Sequence, residues 1–156
     1  MKKKLLIGVG LFLGLGGAAF MVVGSAGVPK PIDPTLRGTP EYLTSETVSQ
    51  VLPSITSNIQ TGSEMGGFAK IEATCEFRHG DELSSGEAVT MFTAADARLK
   101  DAFIMLLSTK TPDELKSAEQ LNILKTEMKK RIQQIVFPEK RAVVENILFR
   151  EFRVQQ

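Results

Sequence analysis

The chain has 156 residues and a formal net charge of +1. That allows one domain and gives no concentrated basic face of the kind nucleic-acid binding needs. A single cysteine, Cys75, excludes an internal disulfide framework and a metal-binding cysteine pair.

The charge is unevenly placed. Lys2, Lys3 and Lys4 precede the first apolar run, and without these three the 19 Lys and Arg fall to 16 against 18 Asp and Glu. Leu5 to Val23 is then 19 residues without a charge, roughly 28 Å as a helix at ~1.5 Å per residue, close to the hydrocarbon thickness of a bilayer. The competing reading is a secretory signal, with Gly24-Ser25-Ala26 as the cleavage region. A signal core is usually about 7–15 residues, so the longer run favours an uncleaved single transmembrane helix. The three lysines then form a cytoplasmic tail at residues 1–4, and everything after about Gly24 lies outside the cytoplasm. Gly10, Gly14 and Ala18 make a small-residue stripe along this helix. Such stripes let helix backbones approach closely in lipid.

Residues 24–50 carry Pro29, Pro31, Pro34 and Pro40 and show no apolar period. They read as a proline- and glycine-containing linker, with the stretch 41–50 unassigned. The folded domain is expected over residues 51–156. Val51 to Ile59 is a candidate edge strand, since Pro53 is poorly tolerated in a central one. Thr61 to Gly67 is a loop by composition. Phe68 to Arg78 alternates strictly: Ala69, Ile71, Ala73, Cys75 and Phe77 on one face, Lys70, Glu72, Thr74, Glu76 and Arg78 on the other. That pattern is a half-buried strand, forming a hairpin with the strand before it and ending at His79-Gly80-Asp81.

Ser84-Ser85-Gly86-Glu87 has capping-box spacing. Val89, Phe92, Ala95, Leu99, Phe103 and Leu106 then recur as one helical stripe, with Asp96 and Lys100 as a supporting pair. Ala102 to Leu107 is apolar on every side. The helix stops at Ser108-Thr109-Lys110, and Thr111-Pro112-Asp113-Glu114 forms a second capping box with proline at the first helical position. The second helix is expected from Pro112 to about Val136 on a stripe of Leu115, Leu121, Leu124, Met128, Ile132 and Ile135. Lys129, Lys130 and Arg131 in its later turns suit the helix dipole. Ala142 to Val154 closes the chain as a strand whose alternation slips between Phe149 and Phe152, predicting a bulge. The order β-β-α-α-β makes the class α+β.

No catalytic set emerges, and no cofactor is expected. His79 and Cys75 stand about 13 Å apart at ~3.3 Å per residue along a strand. His79 with Asp81 and Glu82 is a weak candidate metal site, for which a solvated loop histidine is the simpler account. Ser84 and Ser85 are better explained by capping. The unusual feature is the apolar run Phe103, Ile104, Met105, Leu106 and Leu107, which is either core or a candidate oligomer or partner contact.

Several of these stretches together resemble the flagellar basal body-associated FliL family. They are the basic N-terminus, the membrane helix and the proline-bearing linker; Leu52 to Ile59 and Phe68 to Phe77 as paired strands; the corner Arg98 to Leu115; and Val144 to Gln155 as the terminal strand. The departures are Ile55, where an aromatic is common, and Arg153, where the family often has an apolar residue. The resemblance implies a single-pass inner-membrane protein at the flagellar basal body, with a periplasmic domain like the stomatin (SPFH) domain. It implies assembly as a homo-oligomeric ring, and partners in the membrane lipid, the ion-driven stator subunits of the MotA/MotB type and the basal-body MS ring. It implies support of torque in swimming or swarming, and no small-molecule substrate. The alternatives are a non-flagellar SPFH-like envelope scaffold and a membrane-tethered periplasmic enzyme or binding domain.

Overall fold

The structure, a computed structural model, describes residues 33–44, 46–61 and 66–155. The segment Leu5–Val23, the lysines before it and the stripe Gly10, Gly14 and Ala18 lie outside the described residues. Among those described, no helix is long and apolar enough to cross a membrane.

After a single 3₁₀ turn at Pro34–Leu36 the elements are β1 (Val48–Val51), β2 (Ile55–Ile59), β3 (Gly67–His79), α1 (Ser85–Ser108), α2 (Pro112–Lys116), α3 (Ala118–Ile135) and β4 (Ala142–Gln155). The strand β3 is the axis of one antiparallel sheet. Both β1 and β2 pair with one edge of it, opposite Thr74 to Phe77 and Gly67 to Ile71 respectively, while β4 runs along its other edge from Phe68 to His79. The α+β class is as the sequence implies, and β2 with β3 is the expected hairpin pair.

The alternation of β3 explains the layering. Ala69, Ile71, Ala73, Cys75 and Phe77 are all buried. They meet the buried stripe Ala88, Phe92, Ala95, Leu99, Phe103 and Leu107 of α1 and the stripe Leu124, Met128 and Ile132 of α3 in one core. The opposite sheet face is wet and ion-paired. Lys70 lies 2.8 Å from both Glu72 and Glu151, and Arg78 pairs with Glu145. Phe77, Phe92 and Phe137 close the thick end of the core, with ring centroids 5.3–5.5 Å apart.

Four expectations are corrected. The strand expected over Val51–Ile59 is two strands, because Pro53 has no N–H to give; Leu52 N still reaches Ala73 O at 2.9 Å. Residues 33–50 are not all linker: Tyr42 is buried and Val48 to Val51 join the sheet. The second helix breaks at Ser117, which is extended (φ −79°, ψ 130°). Leu115 and Leu124 are nine residues apart, so at about 100° per residue one straight helix would point them to opposite sides. The break turns both to the core, where they are 2% and 1% exposed. Finally, no basic residue lies in the last turn of α3, so Lys129, Lys130 and Arg131 are not dipole partners; Lys129 Nζ donates to Glu145 O at 2.6 Å instead.

The predicted bulge in β4 is present: Ala73 faces Phe149 while Glu72 faces Glu151, leaving Arg150 as the extra residue. A second register shift leaves Glu145 extra between Val144 and Asn146. The three-residue step from Val144 to Ile147 carries the same signal in the sequence.

Candidate functional site

Residues 33–44 form a strap over the end of β3. Asp33 accepts from Thr35 N at 2.9 Å to start the 3₁₀ turn, and Gly38 reverses the chain at φ +82°. Thr44 N donates to His79 O at 2.9 Å, and Leu43 bridges Gly80. Tyr42 then lies directly on Gly80, the residue that has no side chain to obstruct it.

Glu82 fastens the strap. Tyr42 Oη donates to its Oε1 at 2.7 Å, and Arg37 Nε and Arg141 Nε stand 2.7 and 3.5 Å from the same oxygen. Arg141 also donates to Glu82 O at 2.8 Å. The Tyr42 bond, then the Arg37 bond, hold the Glu82 carboxyl below the ordinary glutamate range. Burial, with the Glu82 carboxylate next, pushes the Tyr42 phenol up to about 12. A carboxylate whose folded pKa is lowered stabilises the fold above its unfolded value, about 4.3, and that contribution is lost as pH falls through the folded pKa. Glu82→Gln should therefore flatten part of the acid limb below about pH 4.3, with little change in its shape above pH 6. Urea midpoints of both forms across that range check it, and parallel acid limbs would contradict the assignment.

His79 is not the solvated loop residue expected from sequence. It is the last, buried residue of β3, with Nδ1 3.1 Å from Gly80 O and Nε2 3.0 Å from Ser85 Oγ. A carbonyl only accepts, so Nδ1 is the donor in that contact. Among the described residues no three His, Cys, Asp or Glu side chains are grouped to hold a metal, and Glu82 is committed to the strap. Cys75 is fully buried, and burial pushes its thiol up to about 12, which leaves it protonated and unreactive.

The corner between α1 and α2 is built as its residues dictate. Thr111 accepts from Glu114 N, and Glu114 Oε2 takes the Thr111 amide at 2.7 Å. Ser84 and Glu87 repeat the box at the start of α1. The apolar run before the corner does not act as one surface. Successive helical residues are rotated by about 100°, so Phe103 and Leu107 point into the core, each 1% exposed, whereas Ile104 and Met105 are 39% and 61% exposed. Leu106 lies between them at the flank facing α3. The candidate contact surface is thus Ile104 and Met105 with Leu106 beside them; Phe103 and Leu107 are removed from it.

The family model for the flagellar basal body-associated protein FliL matches residues 49–155. The chain belongs to the FliL family. No curated protein is matched by it. The match takes in all four strands apart from Val48, all three helices and the corner, and excludes the whole strap. FliL membership makes this a flagellar basal body-associated protein, a structural component of the flagellum rather than a known enzyme.

Proposed function

We propose that this FliL protein is a non-enzymatic inner-membrane scaffold of the flagellar motor. In this reading Leu5–Val23 anchors the chain in a single pass, with Lys2, Lys3 and Lys4 in the cytoplasm and the stomatin/SPFH-like domain in the periplasm. The domain self-associates as a ring, aided by packing of Gly10, Gly14 and Ala18 in the membrane. It braces the stator units beside the MS ring and favours their engaged, torque-producing state. What carries the reading is the family match over residues 49–155. The exposed apolar step of Ile104 and Met105 at the corner supports it, because an apolar step of that kind is suited to a contact between subunits.

The test is a mild-detergent pull-down of tagged full-length protein from native membranes, with cross-linking of the wild type beside Met105→Asp. Stator subunits and MS-ring protein should co-purify. Met105 is mostly solvent-exposed in the monomer, so the substitution should leave the melting temperature unchanged. It should weaken the cross-linked oligomer at least about tenfold, because an unpaired carboxylate is costly in a closed contact. Recovery with unrelated envelope proteins alone would overturn the motor reading, and an unchanged cross-link ladder would overturn the contact.

A further inference from the structure

The seam between α1 and α3 is open along two adjoining hollows of about 310 Å³ each. In the first, Met91 and Arg98 of α1 face Ile135, Pro138 and Arg141. In the second, Leu106 faces Glu127, Lys130, Arg131 and Gln134. Arg98 and Leu106 are two helical turns apart and Gln134 and Ile135 are neighbours, so the hollows lie end to end. From Met91 to Leu106 the groove runs roughly 22 Å at ~1.5 Å per residue.

The charges along it are not balanced. Its carboxylates are already engaged: Glu127 lies 3.0 Å from Lys110, and Glu139 lies 3.5 Å from Arg37. Arg141 is drawn to Glu82. Arg98, Lys130 and Arg131 make no ion pair or hydrogen bond with the described residues, and Asp101, three residues on from Arg98 in α1, is likewise unpaired among them. Met91, Leu106 and Ile135, each partly buried, are apolar footholds between these cations in a lining that is otherwise largely polar.

We propose that this groove is the docking site for an acidic amphipathic helix of a protein partner. The partner's apolar stripe would lie on Met91, Leu106 and Ile135, and its carboxylates on Arg98, Lys130 and Arg131. Helix-in-groove recognition uses apolar anchors with complementary charge along the rims, and this seam supplies three of each. A lipid headgroup fits less well. It wants donors converging on one phosphate, whereas these cations are spread along the groove and its floor is recessed between two helices. The inference specifies the partner by chemistry alone, and so stands whether or not that partner is a stator subunit.

The test uses full-length protein in non-ionic detergent micelles. The probe is a fluorescein-labelled peptide of roughly 15 residues, leucine at helical i, i+3, i+4, i+7 spacing and glutamate elsewhere; its twin has glutamine for glutamate. Anisotropy should rise saturably for the acidic peptide and at least about tenfold more weakly for the twin. The double variant Arg98→Glu, Arg131→Glu should lose at least tenfold. Arg98→Gln, Arg131→Gln should fall between it and the wild type, and Arg150→Glu at the β4 bulge should change nothing. A benzophenone-bearing version of the peptide should cross-link to Met91 and Leu106. Absence of saturable binding, equal binding to the charge-reversed protein, or cross-links confined to other elements would each overturn the proposal. Vesicles containing phosphatidylglycerol provide the last arm: binding to them that depends on Arg98 and Arg131, with none to the peptide, would make the groove a headgroup site and sink the helix reading.

Discussion

Phe77→Ala should cost the folded unit about 3–5 kcal/mol, the range for emptying a buried phenylalanine site. The ring is fully buried on β3 and stands 5.5 Å from Phe92 of α1 and 5.3 Å from Phe137, which follows the C-cap of α3 and leads to β4. It therefore joins the sheet to both long helices at once. Truncation leaves two aromatic rings facing a void that rigid helices on either side cannot close, and the two tilted contacts, each worth about 0.5–1.5 kcal/mol, go with it. Against a typical total of roughly 5–15 kcal/mol the loss is large. The urea midpoint should fall by roughly 2 M at an m-value of ~2 kcal/mol/M. Phe149→Ala is the internal comparison. That ring is only half-buried, stacked on Phe152 and lying under Lys125, so its loss should cost clearly less. Equal midpoints for the two variants would mean that the triad is not what holds the helices to the sheet.

Gly80→Ala should act differently, by expelling the strap. A Cβ at this position would sit 2.1 Å from Tyr42 Cζ and 2.4 Å from Cε1. Gly80 cannot withdraw: its N–H donates to Arg141 O at 3.0 Å, and its carbonyl accepts from Leu83 N at 3.1 Å. The tyrosine must leave, and with it the Glu82 hydrogen bond. The expected cost is about 1–3 kcal/mol, with new protease cleavage in residues 33–44 ahead of cleavage in the sheet. On a Tyr42→Ala background the same substitution should cost almost nothing, a coupling energy on the order of 2 kcal/mol. Additive losses would show that the clash is relieved elsewhere.

The elements whose cause is local were legible in the sequence. The period-two alternation of Phe68 to Arg78 named the buried face of β3 residue by residue, and both capping boxes formed at the serine and threonine that the spacing picked out. The slip at Phe149 to Phe152 located one bulge, and the corner and terminal strand pointed to the family. What escaped was set by partners distant in the chain. Tyr42 is buried because a glycine 38 residues on leaves room for its ring, and residues 41–50 contain no period that would reveal it. Ser117 breaks the second helix with no proline or glycine; only the need to turn Leu115 and Leu124 to one side demands it. His79 looked exposed because it ends a strand, yet the start of α1 folds back over it and supplies Ser85. At the candidate site the sequence showed an apolar run but not its division between core and surface. It likewise showed the basic cluster of α3 without revealing that the cluster stops short of the helix end and borders a groove.

The strap has a mechanical meaning. A pull transmitted through the chain ahead of Asp33 would first load the contacts of Arg37 and Tyr42 with Glu82 and the single bridge from Leu43 to Gly80. The long ladder between β3 and β4 would be strained only after these had opened. Few bonds in series, outside the core, make a weak link of the kind that opens locally while the rest stays folded. In a machine whose parts turn against one another, such a joint would lengthen the chain under sudden strain and spare the sheet and the Phe77, Phe92 and Phe137 cluster from the shock.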